Sequence, residues 1–514
     1  MSAAAAQTQL PPAGAPAGGA RVRPVAPLLA LLTLVAAALR LPFLGTQSFW
    51  FDETYTVHVV AAPTFGTMWD RVGATESTPP LFYALVWLWT QLAGDRGEAT
   101  MRAISALALI AAVPVTYAAL RRLVGRRAAL AAAAVVAASP LLVSYALDAR
   151  AYGLFVLTGL LSVWACGALL EEATPRRLAL WALAAAAAIW THWFAGFLVL
   201  GEVVALLWLR PQAWRRLALA SGSVLLALAP LIPVLRDETS DARAGFIAKA
   251  GLGGRVEQLV RQFAAGPNVP RTWLEAACLV LAVGGLAAGT LLVLRRAGAS
   301  PDATALAERD GARALLTIAL VGLLVPIVLT ETGIYDRFNT RNVLFLLPLA
   351  AALAAPALLR LRAIPLAAYL ALAAVTAVWA QSDWRYGNTD WRGAVRRVEA
   401  TDPRPPVVAV TQFGQPVAAL YLGRAPRGRP LATRRVWLVV EPTRAPGHRA
   451  LGPADPPIVA SLLAAFPRHS ERVFHGFRLI EASASARVRL DPATLGADAL
   501  FAGAPRQPPS PSIR

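Results

Sequence analysis

The chain has 514 residues, of which 57% are apolar and 15% charged, with a formal net charge of +19. Soluble domains carry about 25% charged residues, and here the apolar excess falls into blocks, which argues against an ordinary soluble enzyme and for a membrane protein. Lys249 is the only lysine, the arginines stand in small groups between apolar runs, and there is no zinc-finger spacing or basic arm, so a nucleic-acid partner is not expected.

Residues 1–23 are rich in Ala, Pro and Gly and read as a disordered cytoplasmic tail. The run from Pro24 to Leu44 is too long for a signal-peptide core and has the length of a membrane span. Similar runs near 101–120, 128–146, 152–170, 178–191, 194–209, 217–235, 273–294, 314–331, 342–359 and 363–380 bring the expected number of transmembrane helices to about eleven. The pair 178–191 and 194–209 is short and reads either as two spans or as one re-entrant hairpin. Cys166 and Cys278 lie inside these runs, away from any disulfide framework.

Arginine placement sets the orientation, because cytoplasmic loops retain positive charge. With the N-terminus inside, Arg121, Arg122, Arg126, Arg127, Arg176, Arg177, Arg210, Arg215, Arg216, Arg295, Arg296, Arg360 and Arg362 all fall on inward loops. That parity requires Pro79 to Gly94, a short Trp- and Tyr-rich stretch, to lie on the outer face as an interfacial helix. The loop 236–272 is then outside, as a lid or a passive connector. Residues 24–380 form one membrane unit. Residues 381–503 change character, with strand-like runs at 407–412, 436–442 and 472–482 and a helical run at 458–466, and read as a small extracytoplasmic α/β domain. A Pro/Ser tail, 504–514, is expected to be disordered. The expected fold class is an all-α polytopic membrane protein plus that small domain.

The outer loops hold the candidate chemistry. After the first helix the chain reads LGTQSFWFDETYTVHVV, which places Asp52 and Glu53 just above the membrane beside Phe49, Trp50, Phe51 and Tyr55. The pair is either a reactive site or, for Asp52, a cap on a surface helix. Asp70, Glu76, Asp95 and Glu98 in the same loop read as solvated charges. In YALDARAY, 145–152, Asp148 and Arg150 reach the same surface, as site residues or as an exposed salt bridge. In ETGIYDRFNTRN, 331–342, Arg337 and Arg341 are four apart and would share a helical face suited to an anionic group, a phosphate or a lipid headgroup. His192, in WTHWF, suits either phosphate contact or an interfacial anchor. Glu202, inside an apolar run, should face the bundle or a cavity. Trp384 and Trp391 read as membrane-exit anchors or as a glycan platform. Carboxylates and arginines gathered at a lipid surface suit attack on an electrophile carried by a membrane-borne phosphate, with a carboxylate taking a hydroxyl proton and arginines stabilising the departing phosphate.

The motifs WFDETY, PPLFY, DARAY and RNVLFLLP, in that order, resemble the GT-C glycosyltransferases, and more narrowly glycosyltransferase family 39, which includes protein O-mannosyltransferases and the lipid A aminoarabinose transferases. The resemblance covers 24–380 and is strongest over 41–155; DWRGAVRRVE, 390–399, is similar to bacterial members with an added outer domain. It implies an enzyme of the bacterial cytoplasmic membrane, working on its outer side, that takes a sugar from a polyprenyl-phosphate donor to an extracytoplasmic protein, glycolipid or wall-glycan acceptor. It implies Asp52 as the catalytic base with Glu53 beside it. It implies Arg150 and Arg341 at the donor phosphate, with Arg337 and His192 as further candidates there and Asp148 and Tyr152 in support. A single base would invert configuration, since the two-carboxylate arrangement needs groups set several ångströms apart across the sugar. Thr78 stands before PPL where the family often has His or Lys. Some relatives use a divalent metal near the first-loop acid; no His/Asp/Glu spacing here requires one. The alternatives are a transporter or flippase of a lipid-linked sugar, a non-catalytic assembly scaffold and, among enzymes, an arabinose- or aminoarabinose-type transferase.

Overall fold

The computed structural model describes residues 25–234, 247, 250–296, 303–402, 404–444, 450–453 and 456–503. The expected tails 1–23 and 504–514 lie outside the described residues, as do 236–246 and 248–249 of the loop 236–272.

Each of the eleven apolar runs is helical. In chain order the membrane unit contains α1 (Val25–Ala38), α2 (Phe51–Val60), α3 (Phe65–Thr75), α4 (Leu81–Ala93), α5 (Glu98–Ala138), α6 (Pro140–Ala146), α7 (Tyr152–Glu171), α8 (Pro175–Thr191), α9 (Ala195–Leu209) and α10 (Trp214–Ala227). It continues with α11 (Leu252–Ala265), α12 (Thr272–Arg296), α13 (Ala303–Glu331), α14 (Leu346–Leu358) and α15 (Ile364–Ser382). Seven helices among the described residues are long and apolar enough to cross a bilayer, and α4, α9 and α14 are shorter apolar helices. At 1.5 Å per residue α4 is only about 20 Å long, short of a ~30 Å hydrocarbon core.

The longest helix, α5, joins two of the sequence runs. Gly125, at φ 79°, breaks it where the chain turns back among Arg121, Arg122, Arg126 and Arg127. Only glycine enters that backbone region without strain. At the other end of the bundle, Gly153 brings α7 against α5, and a Cβ there would lie 2.5 Å from the Ser105 carbonyl oxygen. Ser105 Oγ also donates to the Arg150 carbonyl at 3.0 Å, so this contact fixes the loop 147–151. Buried Arg40 bonds the carbonyls of Ala36, Val136 and Ala137, tying the end of α1 to the end of α5.

Inside the bundle Glu202 is fully buried, as expected, and its Oε2 accepts from Ser162 Oγ at 2.7 Å and Trp181 Nε1 at 2.8 Å. This knot joins α7, α8 and α9. Glu202→Gln keeps both acceptor bonds and should melt close to the parent. Glu202→Leu strands a buried hydroxyl and an indole N–H, at about 1–3 kcal/mol each, and should lower the melting temperature clearly. Thermal unfolding in detergent checks the pair.

The C-terminal domain, expected on the outer side, contains α16 (Trp391–Thr401), β1 (Val407–Ala409), α17 (Gly414–Leu422), β2 (Leu431–Val440), β3 (Pro442–Arg444), β4 (Ala450–Pro453), α18 (Pro457–Ala465), β5 (Arg468–Phe474), β6 (Phe477–Leu490), α19 (Pro492–Leu495) and β7 (Leu500–Phe501). Its main sheet has the order β5-β6-β2-β1-β7, with β1 parallel to β2 and the other neighbours antiparallel. The run 472–482, expected as one strand, is the turn of a hairpin. His475 and Gly476 have φ of 45° and 83°, the left-handed pair that a two-residue turn needs.

The domain does not stand apart from the membrane unit. Phe49, Val57, Met68, Phe82 and Met101 share one buried apolar cluster with Trp391, Val395, Tyr421 and Phe477. Trp391 is completely buried there, which corrects its expectation as a membrane anchor or glycan platform; Trp384 is partly exposed and stacks on His475.

Candidate active site

The helix α2 starts with its charged residues in its first turn, where carboxylates meet the positive end of the helix dipole. Glu53 caps it, accepting from the Trp50 N–H at 3.2 Å. Asp52 is therefore not the cap. Adjacent helical residues point about 100° apart, and the two carboxylates part accordingly.

Glu53 turns inward and is fully buried. Its oxygens accept from Arg102 Nε at 2.8 Å, Arg102 Nη2 at 2.6 Å and the Ala149 N–H at 2.8 Å, besides Trp50. With every acceptor direction engaged by protein, it makes the fork-to-fork pair typical of Arg and carboxylate. Asp52 turns the other way and keeps about a quarter of its side chain exposed. Its Oδ2 accepts from Arg341 Nη1 at 3.0 Å. Among the described residues no partner takes Oδ1.

Arg341 comes from a single turn at Thr340–Val343 that follows an extended stretch, so it does not share a helical face with Arg337. The Asn339 side chain caps that turn and Arg255 of α11 holds the stretch before it through Asp336 and the Phe338 carbonyl. The part of loop 236–272 that is described is thus a docked helix supporting the arginine loop. Arg341 also lies over the Tyr152 ring, 5.9 Å from its centroid. Arg337 has no ion-pair partner among the described residues; its carbonyl accepts from Asn342 Nδ2 at 2.7 Å.

Arg150 is buried rather than in an exposed salt bridge. Its Nη1 donates to the Asp52 carbonyl at 3.2 Å and lies 2.7 Å from Glu76 Oε2. Glu76, expected as a solvated charge, is buried, and the Tyr83 hydroxyl also donates to it at 2.7 Å. Burial, with a smaller push from the Asp52 charge, raises the Glu76 carboxyl above its ordinary range; the Arg150 charge and the hydrogen bonds from Tyr83 and Arg150 oppose that without cancelling it. Burial works against the Arg150 charge too, but Glu76, Tyr83, Tyr152 and Asp52 together more than offset it, and the guanidinium stays protonated. Thr78, where the family often has a cation, shares a 2.8 Å hydrogen bond with the Tyr83 hydroxyl and completes this cluster. Glu98 is likewise buried and paired, with Arg392 and Tyr421.

Asp148 accepts from Trp50 Nε1 at 3.1 Å. Burial, then the nearby Glu53 charge, pushes its carboxyl up to about 8, against the pull of Trp50 and Arg150. The folded protein therefore holds a proton here that the unfolded chain releases near pH 4, and stability falls as the pH rises from there to 8. Asp148→Asn keeps the acceptor oxygen and removes the cost. Its melting temperature should exceed the parent's at pH 8, with the gain shrinking toward pH 4; a gain that does not change between the two would contradict this.

His192 stacks on Phe155, with centroids 4.4 Å apart, and is almost fully buried at the end of α8. Burial, together with the charges of Arg341 and Arg150, lowers it to about 3, so it is neutral at physiological pH. Its Nδ1 accepts from the Phe194 N–H at 3.2 Å, which leaves the ring proton on Nε2. It is an uncharged donor, not a cation. Among the described residues, no group of three or more His, Cys, Asp or Glu side chains is arranged to hold a metal ion.

Asp52, Glu76, Asp148, Arg150, Tyr152, His192 and Arg341 thus come from four connections at one end of the bundle and touch one another directly or through a single neighbour. With this geometry in place the comparisons become specific. Residues 77–236, which include Thr78, the DARAY loop and His192, match the family model of dolichyl-phosphate-mannose-protein mannosyltransferases. The chain thus carries a segment similar to this mannosyltransferase family. The resemblance read from PPLFY and DARAY is borne out over that stretch, in a chain whose described residues include seven helices long and apolar enough to cross a membrane and a small C-terminal sheet.

Among solved structures, the Archaeoglobus fulgidus oligosaccharyltransferase in complex with zinc and sulfate is similar at 14% identity and a TM-score of 0.46. That match covers 73% of this chain and 55% of the other, so the chain spans little more than half the length of that protein. ArnT from Cupriavidus metallidurans bound to undecaprenyl phosphate is similar at 13% identity and a TM-score of 0.42, over 90% of this chain and 99% of that one. The archaeal oligosaccharyltransferase AglB from Archaeoglobus fulgidus, in complex with an inhibitory peptide and a dolichol-phosphate, is similar at 13% identity and a TM-score of 0.45, over 74% of this chain and 58% of that one. No curated protein sequence matches the chain significantly.

Proposed function

We propose that this glycosyltransferase moves a sugar from a polyprenyl-phosphate donor to an acceptor hydroxyl on the outer side of the bacterial cytoplasmic membrane, with inversion and with Asp52 as general base. The observation that carries this reading is the Arg341–Asp52 pair at the end of the bundle: a partly exposed carboxylate with one oxygen on an arginine and the other without a partner among the described residues.

In the reaction, Asp52 takes the proton of the acceptor hydroxyl as that oxygen attacks the anomeric carbon. The bond from the anomeric carbon to the phosphate oxygen breaks, and the lipid phosphate leaves with the electron pair. Arg341 exchanges its carboxylate for that phosphate, with Arg337 supplying a second guanidinium and the neutral His192 ring an N–H donor. Arg150, committed to Glu76 and to the Asp52 carbonyl, holds the base and adds positive charge beside the leaving group. Glu53 acts through its grip on Arg102 and the Ala149 N–H, positioning α2 against the loop that carries Asp148 and Arg150. Asp148 and Tyr152 line the same place. Residues 24–380 serve as the catalytic unit, and the sugar is a hexose of the mannose type.

The test is transfer from a panel of radiolabelled polyprenyl-phosphate sugars, including mannose, glucose and aminoarabinose donors, to endogenous acceptors in membranes containing the full-length protein. Label transferred from the mannose donor supports the whole reading. Transfer from aminoarabinose alone keeps the mechanism and changes the sugar. No transfer from any donor would overturn it in favour of a transporter or scaffold.

A further inference from the structure

The segment that leads into α2 is gripped from two sides. Arg102 of α5 donates from Nη1 to the carbonyls of Leu44 at 3.0 Å and Gln47 at 2.8 Å, and from Nη2 to that of Ser48 at 3.0 Å. The two carbonyls between them, Gly45 and Thr46, both accept from Nη2 of Arg392 at 3.0 Å. Five consecutive carbonyls are thus held by two guanidiniums, one from the membrane unit and one from the outer domain.

The outer domain also takes the next donor. The Phe49 N–H donates to the Tyr421 hydroxyl at 2.7 Å, and that hydroxyl donates to Glu98 Oε1 at 2.8 Å. Glu98 Oε1 accepts in addition from Arg392 Nη1 at 3.0 Å, closing the network. Ser48 Oγ accepts from the Arg392 N–H and donates to Asp390, and Gln47 Oε1 accepts from the Asn388 N–H at 2.9 Å. Phe413 of the same domain meets Phe51 edge-on at 5.1 Å. Asp52 lies three residues beyond Phe49, directly after Phe51.

We infer that the outer domain is a working part of the active site, with Tyr421 as the residue that positions the start of α2 and so the Asp52 carboxylate. This rests on the reading of Asp52 as the base. A hydroxyl is required at Tyr421 because the atom must accept from one group and donate to another, which neither Phe nor a charged side chain does. The interaction is made to the backbone of the catalytic segment itself, where small displacements matter: an error of about 1 Å in a reacting group costs about 100-fold in rate.

The experiment compares full-length wild type, Tyr421→Phe and Arg392→Gln by hydrogen–deuterium exchange and by donor kinetics. Tyr421→Phe keeps the ring and its stack on Phe49. It should raise exchange in 47–53 by about tenfold, the value of one lost hydrogen bond, and leave the outer sheet protected. It should lower kcat by tenfold or more with the donor KM unchanged, and Arg392→Gln should do the same. Exchange unchanged in 47–53, or raised equally through the outer sheet, would overturn the inference and leave Tyr421 a packing residue. A kcat equal to wild type would overturn it as well. Asp52→Asn in the same assay separates the two claims: full transfer by that variant removes the base assignment whatever Tyr421→Phe does.

Discussion

Replacing Asp52 with Asn should lower kcat by about 10²–10⁴, the usual worth of a positioned general base, while the donor KM stays within about twofold. Asn is nearly isosteric and its side-chain oxygen still accepts from Arg341, 3.0 Å away in the parent, so the arginine keeps its place and the fold its stability. A loss in kcat alone marks an interaction made in the transition state rather than in donor binding. Arg341→Gln should differ in kind. On the proposed mechanism it removes the group that meets the donor phosphate, and it should raise KM as well as lower kcat. If both variants changed KM and kcat in the same ratio, the division of labour between base and phosphate clamp would be wrong.

Arg102→Ala should have the largest effect on stability. Arg102 and Glu53 are both fully buried with a 2.6 Å contact, and removing one partner of such a pair costs about 3–5 kcal/mol because it leaves the other charge unpaired away from water. Three carbonyls, those of Leu44, Gln47 and Ser48, lose their donor in the same step. A chain with ordinary marginal stability does not absorb that loss. Yield in the membrane and thermal unfolding in detergent should both collapse. Glu53→Gln, which keeps an acceptor for Arg102 and for the Ala149 N–H, should be milder. An Arg102→Ala protein that melts within about 2 °C of wild type would show that the pair does not hold the segment.

Much of this architecture is legible in the sequence because the membrane imposes a strong code. An apolar run of span length has few alternatives to a helix, and all eleven runs are helices. Asp52, Arg150 and Arg341 stand out because charged residues beside apolar runs are conspicuous. Their partners do not. Arg102 lies within the 101–120 run, where one arginine near a helix start reads as an interfacial residue; only the fold shows that Glu53 lies above it. Glu76 and Glu98 read as solvated because each stands among small or polar residues, yet each meets an arginine distant in sequence. No periodicity records such pairings.

The helical face expected for Arg337 and Arg341 fails for a local reason. Asn339 caps a new turn between them, a signal present in the FNTRN sequence. The hairpin at His475–Gly476 carried its own sign as well, a glycine following a polar residue between two apolar stretches. Tyr421 was beyond reach: its hydroxyl contacts Phe49 across 372 positions of chain, and nothing in its own helix sets it apart from a core tyrosine.

The anomeric configuration of the transferred sugar tests the central claim most directly. If Asp52 is the single base, as proposed, with Glu53 turned away onto Arg102, displacement of the lipid phosphate should proceed in one step. NMR of the purified product should show the anomeric centre inverted relative to the polyprenyl-phosphate donor. Retention would require a second nucleophile at the sugar and would contradict the account.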